Sequence, residues 1–409
     1  MKRNNNWAVK IKLFISFFIM HNFLIGQPEL LWALLGDGSI LSYVYVGGDE
    51  FNGSNLDYKR WRNSYPWGRN YRGTCYQEYM TDGNNFEFEN GVLKLIAKEE
   101  DIYARGVPYM DDEYLLQDNM SNLRWWNYTS GMIFSKRKFK YGRYEIRCKL
   151  PEGKGLWPAF WLFGGHPDEE IDVFEYKGEN PNKIHWDVHY EDDAGVGGWV
   201  TADGNFSDGF NKLDITWAPD AIFWGLNWND YSVWFGNLNY KESIIANLGI
   251  ANDFPCAFSP GPDNTTSFPA SFEIDYIRVY ARLYCNEYVN ICSYEQTLSD
   301  PNVITGFQVN IGGSGCDGGV LEENQYLDLF ATNSINLLPG FSVVNGASFT
   351  ANIVDCPGPP GYGERVQNEV INDTLLKVIA DGDVENLRSD FVKENIRKQI
   401  LDIRVFPNP

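Results

Sequence analysis

Apolar residues recur at every second position through most of this chain, and helical spacing is nearly absent between Tyr43 and Tyr284. Val92–Ala97 (VLKLIA), Gly142–Leu150 (GRYEIRCKL), Ile171–Tyr176, Leu213–Trp217, Ile222–Trp228 and Phe272–Tyr280 (FEIDYIRVY) are the clearest runs. A pleated strand sends successive side chains to opposite faces, so this rhythm fits strands with one buried face. Gly, Pro, Asn and Asp clusters separate the runs, which suits tight turns. Many short strands over about 240 residues predict an all-β fold, an antiparallel sandwich of the jelly-roll kind. The 409-residue length leaves room for a smaller second unit.

The two ends read differently. Lys2, Arg3, Lys10 and Lys12 precede an apolar run from Leu13 to Ile25, followed by Gly26-Gln27. Residues 1–26 are therefore expected to be a secretory signal peptide, the alternative being a buried or membrane-anchoring N-terminal helix. Residues 27–42 are a lead-in to the main domain at 43–284. Residues 285–356 are expected to form a small β module. In it Ile335, Leu337, Phe341, Val343, Phe349, Ala351 and Ile353 alternate, with turns at Pro339-Gly340 and Asn345-Gly346. Residues 357–409 open with a Pro/Gly linker (PGPPGYG) and continue as a charged tail, expected to be poorly ordered. No segment after the first approaches membrane-spanning length.

Charge narrows the partners. The 34 basic and 55 acidic residues leave a net charge of −21, which argues against nucleic acid and anionic lipid. The aromatic fraction of 16%, with 14 Trp and 24 Tyr, supplies flat faces on which sugars stack, although sheet cores also use aromatics. Four of the seven cysteines lie at or beyond Cys285, as suits an exported chain. Cys316 with Cys356 would clamp the small module and Cys285 with Cys292 would close a short loop, but spacing leaves the connectivity open. Cys148 shares the apolar side of its strand with Ile146 and Leu150 and is expected to be a buried free thiol. No Cys/His cluster suggests zinc.

The segment that carries chemistry is Glu170-Ile171-Asp172-Val173-Phe174-Glu175. Glu170 and Asp172 share one face of a regular strand, but Glu175 is one residue out of phase. A single β-bulge would return it to the same face. Acids on a solvated edge strand would be ordinary; three crowded on a central strand cost repulsion and desolvation unless chemistry uses them. Two carboxyl groups about 5 to 5.5 Å apart across a glycosidic bond give retaining hydrolysis, one as nucleophile and the other as acid and then base. Glu170 and Glu175 are the natural pair, with Asp172 between them holding their pKa values apart.

At these residues the chain resembles glycoside hydrolase family 16. The E-x-D-x-x-E strand stands here as EIDVFE, after Trp157-Pro158-Ala159-Phe160-Trp161, which is similar to the family's W-P-A-x-W stretch. Asp49–Gly53 (DEFNG), Thr129-Ser130-Gly131, Tyr141–Glu145 (YGRYE) and Ile274–Tyr280 (IDYIRVY) match in family order. The resemblance implies a concanavalin A-like jelly-roll and endo-acting, retaining cleavage of β-linked polysaccharides. It makes Glu170 the nucleophile, Asp172 its assistant and Glu175 the acid/base. It implies sugar platforms at Trp157 and Trp161, contacts from His185 and His189, with His189 on the leaving-group side, and a non-reducing side lined by Asn63, Trp67 and Arg69.

No cofactor is expected for catalysis. The resemblance also implies a structural calcium at positions matching Glu50, Gly91 and Asp275, the alternative being an acid that caps a turn. Gly164–Glu169 and Phe210–Trp217 (FNKLDITW) depart from the glucanase pattern, so the resemblance reaches the chemistry further than the sugar. The expected activity is that of a β-1,3- or β-1,3-1,4-glucanase. The alternatives are a β-galactanase of agarase or carrageenase type and a non-catalytic glycan-binding protein on the same fold. Asn333–Ile353 and the terminal Val405–Pro409 (VFPNP) are similar to segments of proteins exported by type IX secretion, so that machinery is an expected partner. A secreted or cell-surface bacterial monomer is the expectation.

Overall fold

The structure is a computed structural model that describes residues 30–34, 40–70, 76–106, 123–164, 169–190, 194–227, 229–253, 258–292, 303–313, 316, 320–323, 325–356 and 403–405. The expected signal peptide, the linker and most of the tail lie outside the described residues. The chain divides into two units. One runs from Val46 to Ala281, and the other gathers the residues up to Tyr45 and most of those from Arg282 onward.

The first unit is a sandwich of two antiparallel sheets, as the alternation predicts. The main path of one sheet runs Asn229–Phe235, Ala221–Leu226, Asn211–Ala218, Gly142–Lys149, Ala270–Leu283, Val92–Arg105, Leu123–Ser130 and Glu78–Met80, the last pair being parallel. The second sheet has seven strands, in the order Ala194–Thr201, Lys183–Tyr190, Glu170–Tyr176, Leu156–Phe163, Glu242–Ile250, Met132–Phe139 and Trp61–Arg62. Every residue of Glu242–Ile250 is buried, as befits a strand covered on both faces. Between the sheets, Phe160 and Phe272 flank Phe174 at 6.5 and 6.1 Å between ring centroids. Cys148 is a free, fully buried thiol in this layer.

From Tyr288 onward the second unit pairs its strands in parallel. Tyr288–Ile291, Val303–Ile311, Tyr326–Leu337 and Ser348–Ile353 lie side by side and point the same way. Val320–Leu321 and Ser342–Val343 form a second, two-stranded parallel sheet. The chain therefore coils: each circuit returns to extend the same sheet, and Leu321, Leu327, Leu329, Ile335 and Phe349 fill the interior. Gly340 and Gly346, with φ of 97° and 86°, make the turns that the sequence places there. Asn310 donates to Asn290 at 2.7 Å and accepts from Asn336 at 2.6 Å, so one amide ladder crosses three successive strands. The disulfides join Cys285 to Cys356 and Cys292 to Cys316, correcting the expected pairs Cys316–Cys356 and Cys285–Cys292. In a coil, residues distant along the chain become neighbours. The 71-residue Cys285–Cys356 loop is worth about 4 kcal/mol in the chain-entropy account.

Candidate active site

The acid-bearing strand lies between Leu156–Phe163 and Lys183–Tyr190. Asp172 is opposite Asp187 and Glu175 is opposite His185, so Val173 and Phe174 together face the single residue Trp186. This is the two-against-one count of a β-bulge. Val173 and Phe174 are both fully buried, and the extra residue brings Glu175 back into phase with Glu170 and Asp172. A bulge frees a backbone carbonyl from the ladder. Here Trp224 of the opposite sheet donates its indole N–H to the carbonyl of Asp172 at 2.9 Å.

The neighbouring strands put polar groups on the same face. His189 stands opposite Glu170, and its Nε2 lies 3.5 Å from Asp172 Oδ2 and 4.0 Å from Asp187. His185 Nδ1 lies 3.5 Å from Glu175 Oε2. Trp157 Nε1 donates to Glu175 Oε1 at 3.0 Å, and Trp161 Nε1 donates to Asn247 at 2.8 Å. Each outer acid thus has its own histidine. His189 lies against Asp172 and across from Glu170, and His185 lies against Glu175.

Burial sets the electrostatics. Desolvation first, and then the charge of Asp172, push the carboxyl of Glu170 well above its ordinary range, against the pull of His189. Burial also pushes Asp172 upward, opposed by its hydrogen bond to His189. His189 is raised in turn, chiefly by that hydrogen bond. The charge of His189, 3.5 Å from Asp172, offsets part of the charge crowding and opposes the upward push on both acids.

The other candidates fall into place less simply. Trp157 and Trp161 are each only 5% exposed, so neither offers the open ring expected of a sugar platform. Trp161 belongs to an apolar cluster with Tyr65, Met80, Met132, Phe134, Ala159 and Ile245. Trp157 is stacked between Tyr76 and Phe258 at 4.4 and 5.3 Å. The open ring is Trp199, 48% exposed, which stacks on Phe258 and leans on His185 at 4.9 Å. Trp67 stacks on Tyr65 and meets Phe163 edge-on. Arg69 is a loop staple: its guanidinium donates to the carbonyls of Asn63, Met80 and Thr81 and pairs with Asp82. The sequence reading missed Asp187, Asn247 and Trp199. Asp187 was within reach, because IHWDVHY alternates it with both histidines. Trp199 and Phe258 carry no local signal, since only the pairing of strands brings them beside Glu175.

Two of the three positions matched to calcium, Glu50 and Asp275, already have arginine partners. Both oxygens of Glu50 are taken by Arg278, at 2.7 Å each, and Asp275 pairs with Arg147. The guanidinium already supplies the positive charge that calcium would bring. Among the described residues, the cluster whose ligand atoms lie within 4.8 Å of one another is Glu170, Asp172 and His189, which are the groups of the acid-bearing face itself. Also among the described residues, no helix is long and apolar enough to cross a membrane.

Two jelly-roll sheets with three in-phase carboxylates on a bulged central strand define a glycoside hydrolase site. A profile described as "Glycosyl hydrolases family 16" matches residues 77–233. The chain is 30% identical over 267 residues to a glucan endo-1,3-beta-glucosidase of Cryptopygus antarcticus, covering 58% of this chain and 92% of that one. It is 26% identical over 294 residues to glucan endo-1,3-beta-glucosidase A1 of Niallia circulans, covering 63% of this chain but only 39% of that longer protein. It is 25% identical over 370 residues to a keratan-sulfate endo-1,4-beta-galactosidase of Sphingobacterium multivorum, covering 81% and 78%. Among solved structures, the endo-beta-1,3-glucanase from Pyrococcus furiosus matches with a TM-score of 0.51 at 29% identity, covering 59% of this chain and 96% of that one. The chain belongs to glycoside hydrolase family 16, and it is a retaining glycoside hydrolase.

Proposed function

We propose that this chain is an endo-β-glucanase that cuts β-1,3- or mixed β-1,3-1,4-linked glucan. The observation that carries the reading is the bulge between Asp172 and Glu175, which puts three carboxylates in phase on a central strand. In this reading Glu170 attacks the anomeric carbon while Glu175 protonates the leaving oxygen. Glu175 then takes a proton from the water that releases the sugar. Asp172 and His189 work on Glu170: the imidazolium draws negative charge toward the nucleophile, and Asp172 holds the imidazolium in place. Trp157 fixes the carboxyl of Glu175 at the leaving-group side, with His185 3.5 Å away from it. Trp199, beside His185, is the ring on which a leaving-group sugar would stack. The chain is read as exported, and type IX secretion as its route, on the sequence grounds given above.

The match to a keratan-sulfate endo-1,4-beta-galactosidase favours a second reading, because its 370 aligned residues extend past the sandwich unit. In that reading the sugar is a β-galactan and the chemistry is unchanged. Reducing ends released from laminarin, mixed-linkage β-glucan, agarose and keratan sulfate separate the two. Cleavage of a glucan supports the first; cleavage of galactans alone would replace it. Binding without release of reducing ends from any of the four would sink both readings of the substrate.

A further inference from the structure

We propose that Tyr103 and Trp125 form a second carbohydrate-binding platform, away from the acid-bearing face, that takes a stretch of the same polysaccharide the enzyme cleaves. The proposal rests on the reading of this chain as a polysaccharide-cleaving glycanase. It does not depend on which sugar is cut.

Tyr103 and Trp125 are directly opposite each other on Val92–Arg105 and Leu123–Ser130, so both rings stand on one face of that strand pair. Their centroids are 5.1 Å apart, and they are 52% and 66% exposed. The next residue, Trp126, points the other way, is 3% exposed, and donates its N–H to the carbonyl of Ala104. The strand pair therefore keeps a Trp for its packing and spends a further Trp and a Tyr on solvent. Two adjacent open rings are costly in water and mark a contact surface.

The polar surroundings name the contact. On the same face, exposed Asn127 donates to Asp101 at 2.9 Å, and Arg105 lies two residues beyond Tyr103. Rings flanked by amide and carboxylate groups suit a sugar, which offers a C–H face for stacking and hydroxyls at its rim. A stable protein partner needs about 1,200 Å² or more of total buried surface, far beyond two rings. The charge of −21 disfavours a nucleic acid.

The strand that carries Trp125 reaches the acid-bearing sheet at its other end. Leu123–Ser130 runs from Trp125 to Ser130, a rise of about 17 Å for five residues. Ser130, on the opposite face of the strand from Trp125, pairs with Met80 and donates to the carbonyl of Leu248, next to Asn247. A polymer engaged at the acids has further sugars to offer this surface. A second contact on one chain raises its local concentration without any new contact at the acids.

The test is the Tyr103→Ala/Trp125→Ala variant of the full chain, with Trp125→Phe as a second variant that keeps a stacking ring. Turnover is measured on a short β-linked oligosaccharide and on the polymers laminarin, mixed-linkage β-glucan, agarose and keratan sulfate. Retardation in gels containing each polymer is measured alongside. The double variant is expected to match the parent on the oligosaccharide while its apparent KM on the cleaved polymer rises about 5- to 10-fold. Its gel retardation falls, and Trp125→Phe retains most of the binding. Unchanged polymer binding overturns the proposal. So does an equal loss on oligosaccharide and polymer, which would place the two rings in the fold or the catalytic machinery. If the parent cuts a galactan and no glucan, the glucanase reading fails while the platform is scored on the galactan. A parent that neither cuts nor binds any of the four overturns both.

Discussion

The indole N–H of Trp157 donates to Oε1 of Glu175 at 3.0 Å, so a residue of one strand holds the carboxyl that the neighbouring strand presents. Trp157 is itself clamped between Tyr76 and Phe258, and its N–H is a fixed donor. Trp157→Phe keeps the stack and deletes the donor. Hydrogen bonds to charged groups are worth about 1.5–3 kcal/mol, so kcat is expected to fall about 10- to 100-fold with little change in KM. Steady-state kinetics on a soluble glucan checks this; an equal rise in KM would make Trp157 a sugar-binding residue instead.

Glu170→Gln and Glu175→Gln should each lower kcat by orders of magnitude with the fold intact, because an amide can neither attack the anomeric carbon nor supply the proton. Azide should partly rescue the Glu170 variant as an external nucleophile and give a product of inverted configuration. In the Glu175 variant azide should accept the sugar from the intact nucleophile with retention, on a substrate with a good leaving group. Asp172→Asn should be milder, since Asp172 is not consumed. Product anomers read by NMR decide the roles, and near-normal activity in either outer variant would end the assignment.

Glu242 is fully buried, and its carboxyl oxygens have no hydrogen-bond partner among the described residues. Burial, helped by the charge of Glu169 and opposed by Lys138, pushes it up to about 9 from an ordinary 4.5. A raised acid favours the folded state fully below the unfolded value. That stability is lost at about 1.4 kcal/mol per pH unit as pH rises from 4.5 to 9, and no further above. Glu242→Gln copies the neutral form without the ionisation. Its melting temperature should equal the parent's near pH 4 and exceed it by several degrees at pH 8 to 9. Parallel melting curves across pH would show that Glu242 is solvated or paired.

The Arg278–Glu50 fork makes a prediction about metal. Chelation with EDTA is expected to leave the melting temperature unchanged, and added calcium should not raise it. Arg278→Ala strands Glu50 and should cost about 1–3 kcal/mol. A melting temperature that rises by several degrees with calcium would mean that the ion displaces the arginine.

Much of the sandwich was legible because a strand buried on one face must alternate, and FEIDYIRVY or VLKLIA can do little else. The bulge was legible too: the acids are spaced two and then three, and only an extra residue reconciles that spacing with one face. What the sequence hid depends on contacts between distant segments. Nothing in WPAFW says that Trp161 donates to Asn247 while Trp157 donates to Glu175. Nothing in IHWDVHY says which histidine meets which acid, because that follows from the register with the neighbouring strand. The cysteine pairing was hidden for the same reason. Alternation marks strands in Asn333–Ile353, but not that they stack in parallel and bring Cys285 to Cys356.

The bulged pair Val173-Phe174 has a consequence for length variation. With side chains alternating strictly, losing one of these two residues would leave Glu170, Asp172 and the last acid on a common side of a regular strand. Losing Ile171 would instead turn one acid into the sandwich. An insertion or deletion in a central strand ordinarily scrambles every position after it. At this spacer it exchanges one working frame for another at the cost of a single core side chain, so the acid strand can change length at one point and keep its reaction.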